Sequence, residues 1–208
     1  MSQTADISII DYGVSNVSSI NNMLKKIGFN VEVISSPQKI LRAKRIILPG
    51  VGSFDNGMSA LEDLGLDDAI KAKMLGGQTP FLGICLGMQL LSNGSEEGIK
   101  DGLGIIPGRC VKIRSVDDNT IKVPHMGWNV PEVLQKNALV DTSKRSTRFY
   151  FTHSYHFVCD NQDHVIAVVE HGAKLTAVVQ QKYVFGVQFH PEKSHRFGMS
   201  VLINFGRL

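Results

Sequence analysis

Residues 81–91 read FLGICLGMQLL, an apolar run in which Cys85 stands between Gly83 and Gly87. The first half is strand-like and the second helix-like, so the cysteine falls where a strand turns into a helix. Gly83-Ile84-Cys85-Leu86-Gly87 fits the pattern G-x-nucleophile-x-G. In that elbow the nucleophile is thrust out of the sheet in a strained conformation, and the glycines leave room for neighbouring backbone. The helix that follows offers a positive end and free N–H groups, which favour thiolate over thiol and can meet a developing oxyanion. The plain alternative is a small core residue in an ordinary strand-to-helix turn, the usual fate of a free cysteine.

Working outwards, the chain on the N-terminal side alternates strand and helix patterns. Ile7–Ile10 reads as a short strand ending at Asp11-Tyr12-Gly13. Asn16 suits a helix cap, the apolar positions Val17, Ile20, Leu24 and Ile27 recur at threes and fours, and Gly28 closes the helix. Val31–Ile34 and Arg45–Leu48 are further strands, the second ending abruptly at PGVGSF (49–54). A helical stretch from about Asn56 to Leu75, broken near Gly65, leads through Gly76-Gly77 to the strand Pro80–Cys85. Such alternation predicts a parallel sheet with helices on both faces. Beyond Gly102 the pattern changes. CVKIRSV (110–116), RFYFTHSY (148–155), VIAVVEHG (165–172), LTAVVQQ (175–181) and YVFGVQF (183–189) are strand-like pieces joined by turns, expected as added mixed or antiparallel strands. A last helix is expected from about Ser194 to Phe205. The reading is a single α/β domain over 1–208, a central, mostly parallel sheet flanked by helices and extended by antiparallel strands.

The 208 residues are 43% hydrophobic, enough for one domain with a substantial core. Lys+Arg minus Asp+Glu is 22 − 19 = +3, too mild a charge to point to nucleic acid. The nearest basic cluster, Lys144-Arg145 with Arg148, reads as a solvated loop or interface edge. No apolar run approaches the ~20 residues of a membrane-spanning helix. MSQTADISII lacks the pattern of a signal peptide, so a cytoplasmic location is expected. Cys85, Cys110 and Cys159 are odd in number and lack paired-ligand spacing, which argues against disulfides or zinc; no metal and no cofactor is implied.

A thiolate nucleophile needs a base and a group to hold that base. VFGVQFHPEKS (184–194) presents His190-Pro191-Glu192 at a strand end. Pro191 stiffens the turn and lets the Glu192 carboxylate fold back on the His190 imidazole, the orienting job of the aspartate in a Ser-His-Asp triad. A histidine there is otherwise a solvated or structural residue.

LGICLGMQLL (82–91) together with GVQFHPEKS (186–194) resembles the class I (triad) glutamine amidotransferases, in which cysteine, histidine and glutamate hydrolyse the side-chain amide of glutamine. PGVGSF (49–54), PHMGWN (124–129) and FTHSYHF (151–157) narrow the resemblance to the glutaminase subunits of imidazole glycerol phosphate synthase, the HisH family, over essentially the whole chain. One departure stands out: Asp11-Tyr12-Gly13-Val14-Ser15-Asn16 has serine where the family commonly has glycine. The resemblance implies Cys85, His190 and Glu192 as catalytic residues and the N–H groups of Val51 and Leu86 as oxyanion donors. It implies Gly50, Gly52, Gln89, His153, Ser154 and Tyr155 as glutamine contacts. Asn16, Met126, Trp128 and Lys193 would face a (β/α)₈-barrel cyclase of the HisF type in a heterodimer. That partner would use the ammonia to convert PRFAR to imidazole glycerol phosphate and AICAR, and 208 residues, all needed for the glutaminase fold, leave no room for an acceptor domain. From the residues alone, PGVG is a tight turn, Gln89 a polar side chain satisfying backbone, and Lys193 a solvated lysine. Rival readings are a HisH-like subunit amidating a surface-polysaccharide sugar, a peptidase or γ-glutamyl hydrolase on the same fold, and a binding module descended from a glutaminase.

Overall fold

A computed structural model describes residues 5–114, 121–140 and 147–208. The chain alternates β1 (Ile7–Ile10), α1 (Val17–Lys26), β2 (Val31–Ile34), α2 (Pro37–Arg42), β3 (Ile46–Gly50), α3 (Phe54–Asp63), α4 (Leu66–Leu75), β4 (Phe81–Cys85) and α5 (Leu86–Gln89). Strands then dominate: β5 (Gly108–Lys112), β6 (His125–Asn129), β7 (Glu132–Val133), β8 (Phe149–His153), β9 (Tyr155–Cys159), β10 (Val165–Glu170), β11 (Lys174–Gln181) and β12 (Val184–Val187), followed by α6 (His195–Gly206).

Eight strands share one sheet in the order β2-β1-β3-β4-β12-β11-β10-β7. From β2 to β12 all neighbours are parallel, and from β12 to β7 they are antiparallel. Every residue of β1, β3, β4 and β12 is buried, as expected for strands covered on both faces. Helices α3 and α4 pack with Ile10, Leu48 and Met88 on one face. On the other, α1 and α6 pack with Ile7, Ile9, Ile47, Leu82 and Val187. Val201, Leu202 and Phe205 of α6 are fully buried there, each contributing about 1.5–3 kcal/mol. Pairs β5–β9 and β6–β8 form separate two-stranded sheets.

The order β2-β1-β3 has a functional consequence. The chain steps from β1 to one side and returns on the other, so the loops after β1 and β3 lie side by side at the carboxyl ends of the strands. Open α/β sheets bind ligands at such a switch point.

The structure departs from expectation in several places. The stretch RFYFTHSY holds the whole of β8, which pairs with β6, and only its last residue, Tyr155, begins β9, which pairs with β5. YVFGVQF, in contrast, meets the expectation of a mixed strand, since β12 runs parallel to β4 on one edge and antiparallel to β11 on the other. Helix α2 was not anticipated; Pro37 starts it. The helix after Cys85 is only one turn, because the carbonyls of Leu90, Leu91 and Ser92 accept from Leu103, Ile105 and Gly104 instead of continuing it. The expected break near Gly65 is real, with Gly65 at φ +61° between α3 and α4. Lys144 and Arg145, and the end of the CVKIRSV strand, lie outside the described residues.

Candidate active site

Strand pairing puts Gly50 opposite Cys85 and Val187 opposite Ile84, so the chain ends leaving β3, β4 and β12 converge on one point. Cys85 sits there at φ +54°, ψ −110°, a conformation that costs a non-glycine residue of the order of 1–3 kcal/mol. The elbow glycines are required by close approach. A Cβ on Gly83 would lie 2.5 Å from the Gly87 carbonyl oxygen, and one on Gly87 would run into the Leu48 carbonyl.

The His190 backbone is clamped: its N–H donates to the Tyr150 carbonyl at 2.9 Å, and its carbonyl accepts from the Ser194 hydroxyl at 2.6 Å. Its Nδ1 lies 2.8 Å from Glu192 Oε1, with the two side chains 3% and 2% exposed. Burial opposes a charge on the ring, but hydrogen bonds to Cys85 and Glu192 outweigh it and raise the imidazole to about 10. The three side chains predicted to work together are thus brought together. Cys110 and Cys159 are buried, and burial pushes both thiols up to about 12, which makes them inert.

A cleft of about 410 Å³ opens beside Cys85, lined among others by Val51, Gly52, Leu86, Gln89, Ser154 and Tyr155. Gln89 is 6% exposed, and its Nε2 donates to the Tyr155 carbonyl (3.0 Å) and to Gln188 Oε1 (3.1 Å). It satisfies backbone while it borders the cleft. His153 Nδ1 faces the Tyr155 carbonyl at 2.8 Å, and its Nε2 lies 2.9 Å from His125 Nδ1. Burial lowers His153 to about 3 and His125 to about 4, so both rings are neutral and His125 donates to His153. His153 therefore reaches the cleft without offering an acid or a base.

The oxyanion expectation meets a different geometry. The Val51 N–H donates to the Val14 carbonyl at 3.0 Å and is not directed at the cleft. Gly52, next to it, has φ +96°, open only to glycine at low cost. Leu86 begins α5, and the first N–H groups of a helix have no partner within it.

Of the expected partner-facing residues, Asn16 caps α1, its Oδ1 accepting from the Ser19 N–H at 3.4 Å. Met126 and Trp128 stand two apart on β6, 62% and 42% exposed. His195 stacks on Trp128 with ring centroids 5.5 Å apart, and Arg148 lies 5.5 Å from the same ring. Lys193 is exposed, its ammonium 5.9 Å from the Tyr150 ring. Sequence reasoning missed Gln188, whose Nε2 lies 3.7 Å from the Cys85 sulfur, and Tyr12, whose phenol is buried close to Cys85. It also missed Glu97 at the cleft rim, where its Oε2 accepts from the Phe54 N–H at 2.9 Å.

A buried imidazole–carboxylate pair beside a thiol on a strained elbow defines a class, and the family comparison agrees with it. The class-I glutamine amidotransferase family matches residues 8–207, and the chain belongs to it. Within that class, the chain is 48% identical over 199 residues to imidazole glycerol phosphate synthase subunit HisH 2 of Methanococcus maripaludis, covering 96% of this chain and 98% of that protein. It is 43% identical over 202 residues to subunit HisH 2 of Pseudomonas aeruginosa, covering 97% and 99%. At such identity over nearly full length, it is a glutaminase subunit of the HisH group. Among solved structures, PurLQS from Thermotoga maritima superposes with a TM-score of 0.71 at 19% identity, covering 96% of each chain, a likeness of fold.

Proposed function

We propose that this chain hydrolyses L-glutamine at Cys85 and hands the ammonia to a cyclase subunit, as the glutaminase half of an imidazole glycerol phosphate synthase. The observation that carries the chemistry is the hydrogen-bonded pair of His190 and Glu192 beside the Cys85 sulfur. The thiolate attacks the δ-carboxamide carbon, and His190, already protonated, gives its proton to the departing ammonia. A thioester forms as the C–N bond breaks. His190, now neutral, takes a proton from water, whose oxygen attacks the thioester; glutamate leaves and the sulfur is free again. Glu192 holds the ring by Nδ1 and stabilises its charged form. The N–H of Leu86 and, after a loop movement, of Val51 hold the oxyanion. Glutamine lies in the cleft against Gly50, Gly52, Gln89 and the backbone of His153, Ser154 and Tyr155.

Ammonia released into water at neutral pH is protonated and loses its nucleophilicity, so an acceptor enzyme must be docked. The partner is a HisF-type (β/α)₈-barrel cyclase that takes up the ammonia with PRFAR in the cytoplasm. Asn16, Met126, Trp128 and Lys193 supply its docking surface; the exposure of Met126 and Trp128 supports this, and the subunit names of the HisH relatives support a partner. The test is glutamine hydrolysis by the isolated chain and by its mixture with the cyclase and PRFAR. Weak hydrolysis alone and strong stimulation in the mixture support the reading. Stimulation by the barrel without turnover of PRFAR points to another acceptor, such as a sugar. Cleavage of peptides with glutamine ignored would overturn the glutaminase assignment.

A further inference from the structure

The Pro49–Gly52 loop and the Asp11–Asn16 turn meet across one hydrogen bond, from the Val51 N–H to the Val14 carbonyl. Two hydroxyls of that turn, on Tyr12 and Ser15, are buried with no hydrogen-bond partner among the described residues. An orphaned buried hydroxyl is costly, and native folds that keep one have a reason to. Tyr12 is 3% exposed, and its oxygen is wedged against Gly50: a Cβ built on that glycine would lie 2.5 Å away. The phenol is also near enough to Cys85 to feel its charge.

Turning the peptide between Gly50 and Val51 exchanges the directions of its N–H and its C=O. The Val51 N–H leaves Val14 and swings to the cleft. The Gly50 carbonyl swings the opposite way, to face the Val14 carbonyl, acceptor against acceptor. That arrangement needs a donor between the two. We propose that Tyr12 is a positioning residue for the oxyanion loop: its hydroxyl donates to the Gly50 carbonyl once the 50–51 peptide turns, holding Val51 ready for the tetrahedral intermediate. This rests on the glutaminase reading above. Glycine at 50 serves both ends, since a side chain there would displace the Tyr12 hydroxyl.

The experiment compares wild type, Tyr12→Phe and Ser15→Ala in the complex with the cyclase. Tyr12→Phe lowers kcat for glutamine about tenfold, the worth of one hydrogen bond, with KM within about twofold. Its ammonia-driven synthesis is unchanged, and its thermal midpoint is equal or higher, because the resting fold loses an unsatisfied hydroxyl. A tyrosine that only fills space predicts kcat kept with the midpoint equally unharmed, because the phenylalanine ring fills that space too, so kcat is the deciding readout. Ser15→Ala behaves as wild type. Full kcat in Tyr12→Phe overturns the proposal, as does loss of kcat confined to Ser15→Ala. A structure of the complex with a glutamine analogue bound covalently to Cys85 tests it without a variant: the Tyr12 oxygen lies within 3.2 Å of the Gly50 carbonyl oxygen, a hydrogen-bond distance, and any other donor on that carbonyl refutes it. Wild-type complex that leaves glutamine untouched defeats the glutaminase reading itself, and this inference with it.

Discussion

The Cys85–His190–Glu192 row and the Pro49–Gly52 loop are two walls of one cleft, held by different forces. On the first wall, parallel strand pairing fixes Cys85, a clamped backbone fixes His190, and a buried hydrogen bond of 2.8 Å fixes Glu192. On the second, one backbone hydrogen bond to Val14 sets the loop's direction, and Gly50 and Gly52 flank Val51. A hydrogen bond of that kind is worth about 1 kcal/mol net, which a docking partner can easily exceed. The reacting groups are thus already assembled, while the Val51 N–H proposed as oxyanion donor is turned to Val14. On the reading proposed above, control resides in backbone orientation and leaves the nucleophile alone.

The hardest way to break the comparison is to remove the permanent wall. Cys85→Ser lowers glutamine hydrolysis by about three powers of ten or more, while ammonia-driven synthesis in the complex is retained. Loss of the ammonia-driven reaction as well would mean that the division between the two subunits is misread. Glu192→Gln keeps the shape but withdraws the charge that holds the imidazolium, and kcat falls by roughly 10²–10³. A variant with near-normal kcat would show that the clamped His190 backbone alone orients the ring.

Much of the first wall is legible in the sequence, because each of its residues sits in a short motif with its own local reason: glycines around Cys85, proline between His190 and Glu192. The second wall is less so. Gly50 and Gly52 mark a loop that can turn, yet nothing local says that Val51 is bound to Val14, a contact made by strands that are neighbours only in the folded sheet. Tyr12 and Gln188 escape notice for the same reason, as each meets the site through tertiary proximity alone. Helix α5 stops after one turn because the carbonyls just beyond it, on Leu90, Leu91 and Ser92, are claimed by residues 103–105, a contact no local pattern announces. The reading of RFYFTHSY as a strand holds over Phe149–His153, which pairs with β6, and only its last residue, Tyr155, opens β9 against β5.

A smaller effect sharpens the contrast at the rim. Trp128→Ala removes a half-exposed ring that stacks on His195 and lies under Arg148. Binding of the cyclase weakens about tenfold to a hundredfold, as expected when an aromatic anchor is lost. The weak hydrolysis by the isolated chain does not change. Undiminished binding in a titration calorimeter would place the partner elsewhere.

The smallest effect separates two groups of histidines by the protons they hold. Histidine-selective nitrogen NMR at pH 7.5 is expected to show His190 as an imidazolium, and His125 and His153 as neutral rings protonated at Nδ1. The consequences for stability have opposite signs. His190 in the folded chain binds a proton that an unfolded imidazole loses near pH 6.5, so its contribution is complete below that value and fades as pH rises towards about 10. The folded His153 and His125 refuse protons until about pH 3 and 4, whereas the unfolded chain takes them up below about 6.5. Stability therefore falls as pH drops from about 6.5 to 4, by no more than about 1.4 kcal/mol per pH unit for each ring. His153→Gln, which removes one titrating ring and keeps a donor for the Tyr155 carbonyl, flattens that acid slope in urea titrations and leaves the alkaline decline of the His190 contribution in place. An acid slope undiminished in this variant would show that the pair is charged in the folded chain and that the neutral donor chain from His125 through His153 to Tyr155 is wrong.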